Sequence, residues 1–202
     1  MLQHLQKCNR AGEAVPNKFI FNKNMTENKN WYAVYTKSRA EKKLFQLLSG
    51  KNIDCFLPLK KELRQRSDRK KRIETPLLSS YLFVHISHQE YFDVLNTPGA
   101  VKYVSFEGKA VPIPHEQIAT LKRFTQNEPE DLQVYYGHLD PGEYVEVVSG
   151  PLRGIKGEVL EMRGKYRILL RFDSLGCCVH AEVAANGIVS NRTKTSPVFE
   201  NH

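Results

Sequence analysis

No apolar run in this 202-residue chain approaches the roughly 18 residues that a membrane-spanning helix needs, so no membrane partner is expected. The opening stretch MLQHLQKCNRAGEAVPNKF has no continuous apolar h-region, which argues against a signal peptide and for the cytoplasm. Cysteine is sparse: Cys8, Cys55, Cys177 and Cys178 make up the full set, and none forms a C-x-x-C pair. Cys177-Cys178-x-His180 lacks a second ligand cluster, so a structural zinc site is not expected. In a reducing compartment these thiols act as small apolar side chains of a strand. There is also no Walker loop, no G-x-S-x-G and no H-E-x-x-H. His85 and His88 have no metal-ligand context and are read as strand or surface histidines. The expectation is a non-enzyme without metal or cofactor.

What the sequence does have is positive charge, unevenly placed. The formal net charge is +8, and the segment Lys60 to Arg72 (KKELRQRSDRKKR) sets eight Lys or Arg against two acids. A stripe this dense suits a polyanion better than it suits mere solubility. Its candidate nucleic-acid contacts are Arg64, Arg66, Arg69, Lys70, Lys71 and Arg72. Hydrophobic content of 41% is enough to build packed cores.

Residues 1–29 are polar, end in an Asn/Lys-rich run, and are expected to be disordered. Order begins at Trp31. WYAVYT (31–36) is aromatic and β-branched, as a strand should be. Ser38-x-x-Glu41 reads as a capping box, opening a helix over 39–49 with Ala40, Leu44, Leu47 and Leu48 on one face and Gly50 as its stop. Ile53 to Leu57 is a second strand. The basic segment follows as two strand arms with a tip near Ser67-Asp68. YLFVHI (81–86) is a strand apolar on both faces, so both faces need a cover. A second capping box, Ser87-x-x-Glu90, opens a short helix to about Asn96, and Thr97-Pro98-Gly99 turns into a strand over 100–105. The last helix lies near 115–125, with Ile118, Leu121 and Phe124 aligned. The order β-α-β-β-α-β-α is that of an α+β sandwich, a small mainly antiparallel sheet with flanking helices, over 30–125. Residues 126–140 read as a linker. From Gly142 onward four closely spaced strands (144–148, 157–161, 166–172, 177–183) separated by glycine turns predict a small β-barrel over 141–190. A disordered tail is expected over 191–202.

Gly142-Glu-Tyr-Val145 followed by Gly150-Pro-Leu-Arg153-Gly154-Ile-Lys-Gly157 resembles a KOW motif, in which the glycines allow sharp turns between strands. Trp31-Tyr-Ala-Val34, the helix beginning Ser38-Arg-Ala-Glu41, Phe56-Leu-Pro58, Pro76-Leu-Leu78, Tyr81-Leu-Phe-Val84 and Thr97-Pro-Gly99 stand in the order found in NusG N-terminal domains. The chain therefore resembles the NusG family of transcription elongation and antitermination factors over residues 30–190. The Pro-Leu-x-x-x-Tyr-Leu-Phe-Val pattern and short loops are closer to a specialised paralogue of the UpxY or RfaH type, acting on particular operons such as capsular polysaccharide loci, than to a general factor.

That resemblance implies partners and sites. The family binds the clamp helices of the largest RNA polymerase subunit through an apolar depression, and the matching residues are Tyr35, Leu78, Tyr81 and Phe83. A gate-loop contact on the second large subunit would fall at 90–93. The non-template DNA strand passes the start of the first helix, where Lys37, Arg39, Lys42 and Lys43 match; nascent RNA is the other nucleic-acid candidate. Pro98 replaces a basic residue used for base readout, so sequence-specific reading does not carry over. The KOW module implies a further partner, a ribosomal protein or a termination factor. The alternative reading is a KOW-containing RNA-binding protein of the ribosome or its assembly.

Overall fold

The computed structural model describes residues 28–66, 69–127, 129, 131–137, 139–140, 142–162 and 164–190. The disorder expected over 1–27 and 191–202 lies outside the described residues. At the end of the expected disordered extension, Lys29 is placed by an ion pair with Glu90 at 2.9 Å.

In the N-terminal half the elements run β1 (Asn30–Thr36), α1 (Glu41–Gly50), β2 (Asp54–Phe56), β3 (Leu59–Arg66), β4 (Arg69–Pro76), β5 (Tyr81–Ile86), α2 (Tyr91–Leu95), β6 (Ala100–Tyr103), β7 (Ser105–Phe106), β8 (Lys109–Ala110), β9 (Pro112–Ile113) and α3 (His115–Gln126). The main sheet has the order β2-β5-β1-β6, all antiparallel, and β9 also pairs with β1. β3 and β4 form a separate hairpin, as do β7 and β8.

The central pair β1–β5 explains the layering. Alternation sends Val34, Leu82, Val84 and Ile86 to one face, where they pack with Leu44 and Leu48 of α1 and Val94 of α2. Trp31, Ala33 and Phe83 go to the other face with Ile118, Leu121 and Phe124 of α3. The Lys122 ammonium sits 4.8 Å above the Trp31 ring, a cation–π contact that fixes α3 over the sheet.

Neither capping box forms as expected. The cap position of α1 is Ala40, without a side-chain bond, because Arg39 has φ 60° and the chain turns there before the helix begins. Glu41 is buried and instead accepts from the Ser80 amide at 2.8 Å. At α2 only half of the box exists: Glu90 accepts from the Ser87 amide at 2.9 Å, while the Ser87 hydroxyl is buried without a partner. Gly99 has φ 107°, a backbone conformation that favours glycine, and it lies beside Ala40 and Leu44 of the first helix region.

The C-terminal half adds β10 (Gln133–Tyr136), β11 (Glu143–Val147), β12 (Lys156–Met162), β13 (Lys165–Phe172), β14 (Cys177–Glu182) and β15 (Ile188–Ser190). They make one antiparallel sheet in the order β10-β14-β13-β12-β11-β15. The expected closed barrel is not what these pairings describe: β10 and β15 are two separate edges, and β10 takes the free side of β14. The expected linker is also corrected, because β10 lies inside 126–140. Two arginines of β13 tie the rest of that segment down. Arg171 donates to the carbonyls of Leu139 and Asp140, both at 2.9 Å, and to Glu158 at 2.8 Å. Arg167 pairs with Asp131 at 2.8 Å.

His180 of β14 is buried beside this Arg167–Asp131 pair, with its Nδ1 3.3 Å from the Arg167 guanidinium. Burial first, and the Arg167 charge second, hold the imidazole below its ordinary value, with Asp131 opposing. The unfolded chain titrates this histidine near 6.5, so unfolding takes up a proton in the window just below that value. The stability contributed by neutral His180 is complete above that pH and is lost as pH falls toward the depressed folded value. Urea denaturation between about pH 5 and 8 should show this slope, and His180→Gln should flatten it.

Candidate partner-binding surfaces

The four residues matched to a polymerase contact meet on one side of the main sheet. Tyr35 and Tyr81 are register partners on β1 and β5, with rings edge to face at 5.6 Å. Phe83, two residues on, shares the face of Tyr81 and stacks on Phe56 at 6.2 Å. Leu78, in the turn before β5, joins the same apolar cluster.

Exposure divides the four. Tyr35 is 39% exposed and Tyr81 is half-buried, whereas Leu78 and Phe83 have no exposure. The cover comes from the chain itself. Phe172, at the end of β13, places its ring 5.8 Å from that of Phe83, and Leu77, Leu78 and Phe83 form one cluster with Val145, Leu152, Ile155 and Val179 of the C-terminal half. Arg123 of α3 fastens the arrangement, donating to the carbonyls of Arg153 at 2.6 Å and Gly154 at 3.2 Å. Gly154 itself has φ 77°, so the turn presents its carbonyls to Arg123 in a conformation that favours glycine. Phe172 and Arg123 were not singled out from sequence. Phe172 looked like an ordinary strand end, and Arg123 like the polar side of an amphipathic helix.

The matched KOW positions fall around that turn. Val145 and Gly157 are buried, Gly142 is half-buried, and Gly150, Arg153 and Gly154 are exposed. A Cβ on Gly142 would lie 2.3 Å from the Val159 carbonyl oxygen, so the start of β11 passes tightly across β12.

Positive charge gathers in two other places. Lys37, Arg39, Lys42 and Lys43 are all exposed around the start of α1. Lys42 donates to the Glu74 carbonyl at 2.7 Å, drawing α1 toward β4. Between them lies a groove of about 420 Å³ whose lining includes Arg39 and Lys42, the Glu41 carboxylate, and Ser38, Thr75 and Ser80. The Thr75 hydroxyl is buried there without a hydrogen-bond partner. The second place is the β3–β4 hairpin. Its register sets Arg64 opposite Lys71 and Arg66 opposite Arg69. Arg72 is exposed; the side chains of 63–71, and with them those of Arg64, Arg66, Arg69, Lys70 and Lys71, lie outside the description.

Burial pushes the Cys177 thiol up to about 12, and Cys178 is likewise raised, chiefly by burial. His85 meets Asp54 at 3.2 Å and stacks on Trp31. Among the described residues no group of three or more His, Cys, Asp or Glu is placed to hold a metal ion, and no helix is long and apolar enough to cross a membrane.

Residues 29–122 match the sequence profile of the family described as "Transcription termination factor nusG". That segment, a little under half of the chain, matches a NusG-family domain. Among solved structures the chain is similar to one described as "Domain interaction in Thermotoga maritima NusG", at 19% identity, covering 81% of this chain and 97% of that one, with a TM-score of 0.46. It is also similar to the MjSpt4:Spt5 complex in conformation B, at 15% identity, 82% and 99% coverage and a TM-score of 0.27. Conformation A of that complex gives 15%, 79% and 98%, and 0.26. No curated protein matches the chain. The NusG-family domain ends within α3, so Arg123, which grips the C-terminal turn, lies one residue beyond the matched segment.

If Phe172 is what seals the NusG-family domain, Phe172→Ala should raise amide hydrogen exchange across β5 relative to α1, which packs on the opposite face. A loss of about 3–5 kcal/mol in the stability of the C-terminal sheet is expected alongside it, as for other buried Phe→Ala changes.

Proposed function

We propose that this protein is a non-enzymatic transcription elongation and antitermination factor that acts in the cytoplasm by binding RNA polymerase. The observation that carries this reading is the covered patch. Its NusG-family domain keeps the sheet face bearing Tyr35, Tyr81, Phe83 and Leu78 apolar, and the chain's own C-terminal sheet, beside α3, lies over it. In this reading the clamp helices of the largest polymerase subunit replace Phe172 on Phe83. Residues 90–93 would approach the gate loop. The factor favours the closed, processive polymerase by its higher affinity for that state.

The finer features follow the same resemblance. The C-terminal sheet acts as a KOW-type module that offers the turn over 150–157 to a ribosomal protein or a termination factor. The groove at the start of α1 takes non-template DNA phosphates, and the basic hairpin follows DNA or RNA. The covered patch and short loops fit a specialised paralogue of the UpxY type, recruited to particular operons such as capsular polysaccharide loci. Because the docked form hides the patch, apparent affinity is reduced by the fraction of molecules that are open.

Binding of the full chain to a coiled-coil fragment carrying the clamp helices tests the central claim. Tyr35→Ala with Tyr81→Ala removes aromatic anchors while leaving the fully buried Phe83 in place. Affinity should fall thirtyfold or more, on the scale of about 2 kcal/mol per hot-spot residue, with the circular dichroism spectrum unchanged. Wild-type affinity in that folded variant rules the reading out.

A second measurement addresses the charge. Replacing Arg69, Lys70, Lys71 and Arg72 with Ser should flatten the salt dependence of binding to a complete elongation complex. Each lost phosphate contact removes about 0.9 from the logarithmic slope on duplex DNA, or about 0.7 on a single strand. Binding to the isolated clamp helices should not change.

A further inference from the structure

The C-terminal sheet does not cover the apolar face evenly. Leu78 and Phe83 are sealed at 0% exposure, but at the rim Tyr35 is 39% and Tyr136 is 56% exposed, with Tyr81 half-buried between them. Tyr136 comes from β10, on the C-terminal side of the seam. It pairs in register with Cys177, and burial pushes its hydroxyl up, with Cys177 and Tyr81 beside it adding to the shift. Tyr81 is raised in the same way by burial, then by Cys177 and Tyr35. Tyr136, Cys177 and Phe172 lie in register across β10, β14 and β13, so Tyr136 shares the face that Phe172 turns toward Phe83, and with Tyr35 and Tyr81 it makes an aromatic rim contributed by both halves of the chain.

We infer that this three-tyrosine rim is the landing site at which the polymerase clamp helices first touch the docked protein, before the C-terminal sheet is displaced. The inference rests on the polymerase-binding reading above. An apolar helix surface cannot reach Phe83 or Leu78 in the docked form, because neither exposes any area. The rim is the part of the patch that remains in water. Tyrosine suits such a role, since its ring gives a large, stiff contact area while its hydroxyl tolerates solvent. Lys102 lies opposite Tyr35 on β6 and is exposed, so the far end of the rim is polar and the contact has a direction, toward Phe83. Tyr136 belongs to the element that must leave. It assists arrival but is absent from the final contact, so it acts on the association rate and not on the lifetime of the complex.

Stopped-flow mixing of the full chain with the clamp-helix fragment separates this from spontaneous opening. If the rim is the landing site, the observed rate rises with fragment concentration past the spontaneous opening rate of the free protein, which hydrogen exchange across β5 measures. Tyr136→Ser should then associate about tenfold more slowly, within the range over which rates vary among mutants of one interface, with its dissociation rate unchanged. Tyr136→Phe should keep the wild-type rate. Hydrogen exchange across β5 in Tyr136→Ser checks that docking is intact. A rate that never exceeds that spontaneous opening rate overturns the inference, as does a Tyr136→Ser variant that associates at or above the wild-type rate. Tyr35→Ala with Tyr81→Ala reports separately: if that variant binds normally, the polymerase reading itself fails, whereas its loss of binding together with a normal Tyr136→Ser removes only the landing site.

Discussion

Everything in this molecule answers to one constraint: the antiparallel pair β1–β5 is apolar on both faces and sits in the middle of its sheet. A strand such as YLFVHI cannot leave either side in water without exposing large side chains. Its inner neighbours Val34, Leu82 and Val84 are closed off by α1 and α2. The opposite side, with Trp31, Ala33 and Phe83, is too broad for α3 alone. The remainder is closed by the C-terminal sheet through Phe172. The association of the two halves is therefore hydrophobic at its centre, with Arg123 adding direction at its margin by capturing two carbonyls of one turn.

That division of labour suits an interface that must open. An apolar contact gives no particular advantage to one partner over another of similar shape, so a second apolar surface can take the place of Phe172 without leaving a buried polar atom behind. The bonds that would be costly to abandon, from Arg171 to Glu158 and to the carbonyls of Leu139 and Asp140, lie wholly within the C-terminal half. Separation of the halves leaves that network intact.

Much of the N-terminal fold could be read from the sequence because its signals are local. β5 occupies the residues expected, α3 follows the spacing of Ile118, Leu121 and Phe124, and the basic arms form a hairpin about the expected tip. The failures have a common origin in longer-range competition. Ser38 does not cap α1 because the chain turns at Arg39 before the helix begins, and Glu41 is engaged instead by Ser80, distant in sequence. β10 was hidden because QVYY has an acidic stretch before it and no turn signal, and its strand state depends on the edge of β14. β15 is three residues long and exists through its pairing with β11. For the candidate site, sequence identified the residues of the patch and their shared face. It could not show that Phe172 lies on Phe83, since no period or motif links a strand end in one half to a strand centre in the other.

The incorporation of β10 into the C-terminal sheet also bears on how this half could be exchanged between proteins. A graft joined at Gly142, where the glycine motif begins, would leave behind a strand of the sheet, the acid that pairs with Arg167 and the carbonyls that hold Arg171. The transplanted piece would carry an unpaired edge on β14, an Arg167 without its acid and an Arg171 held by Glu158 but not by the two carbonyls. The natural seam for recombination therefore lies before Asp131, and the heritable module is longer at its front than its most recognisable motif.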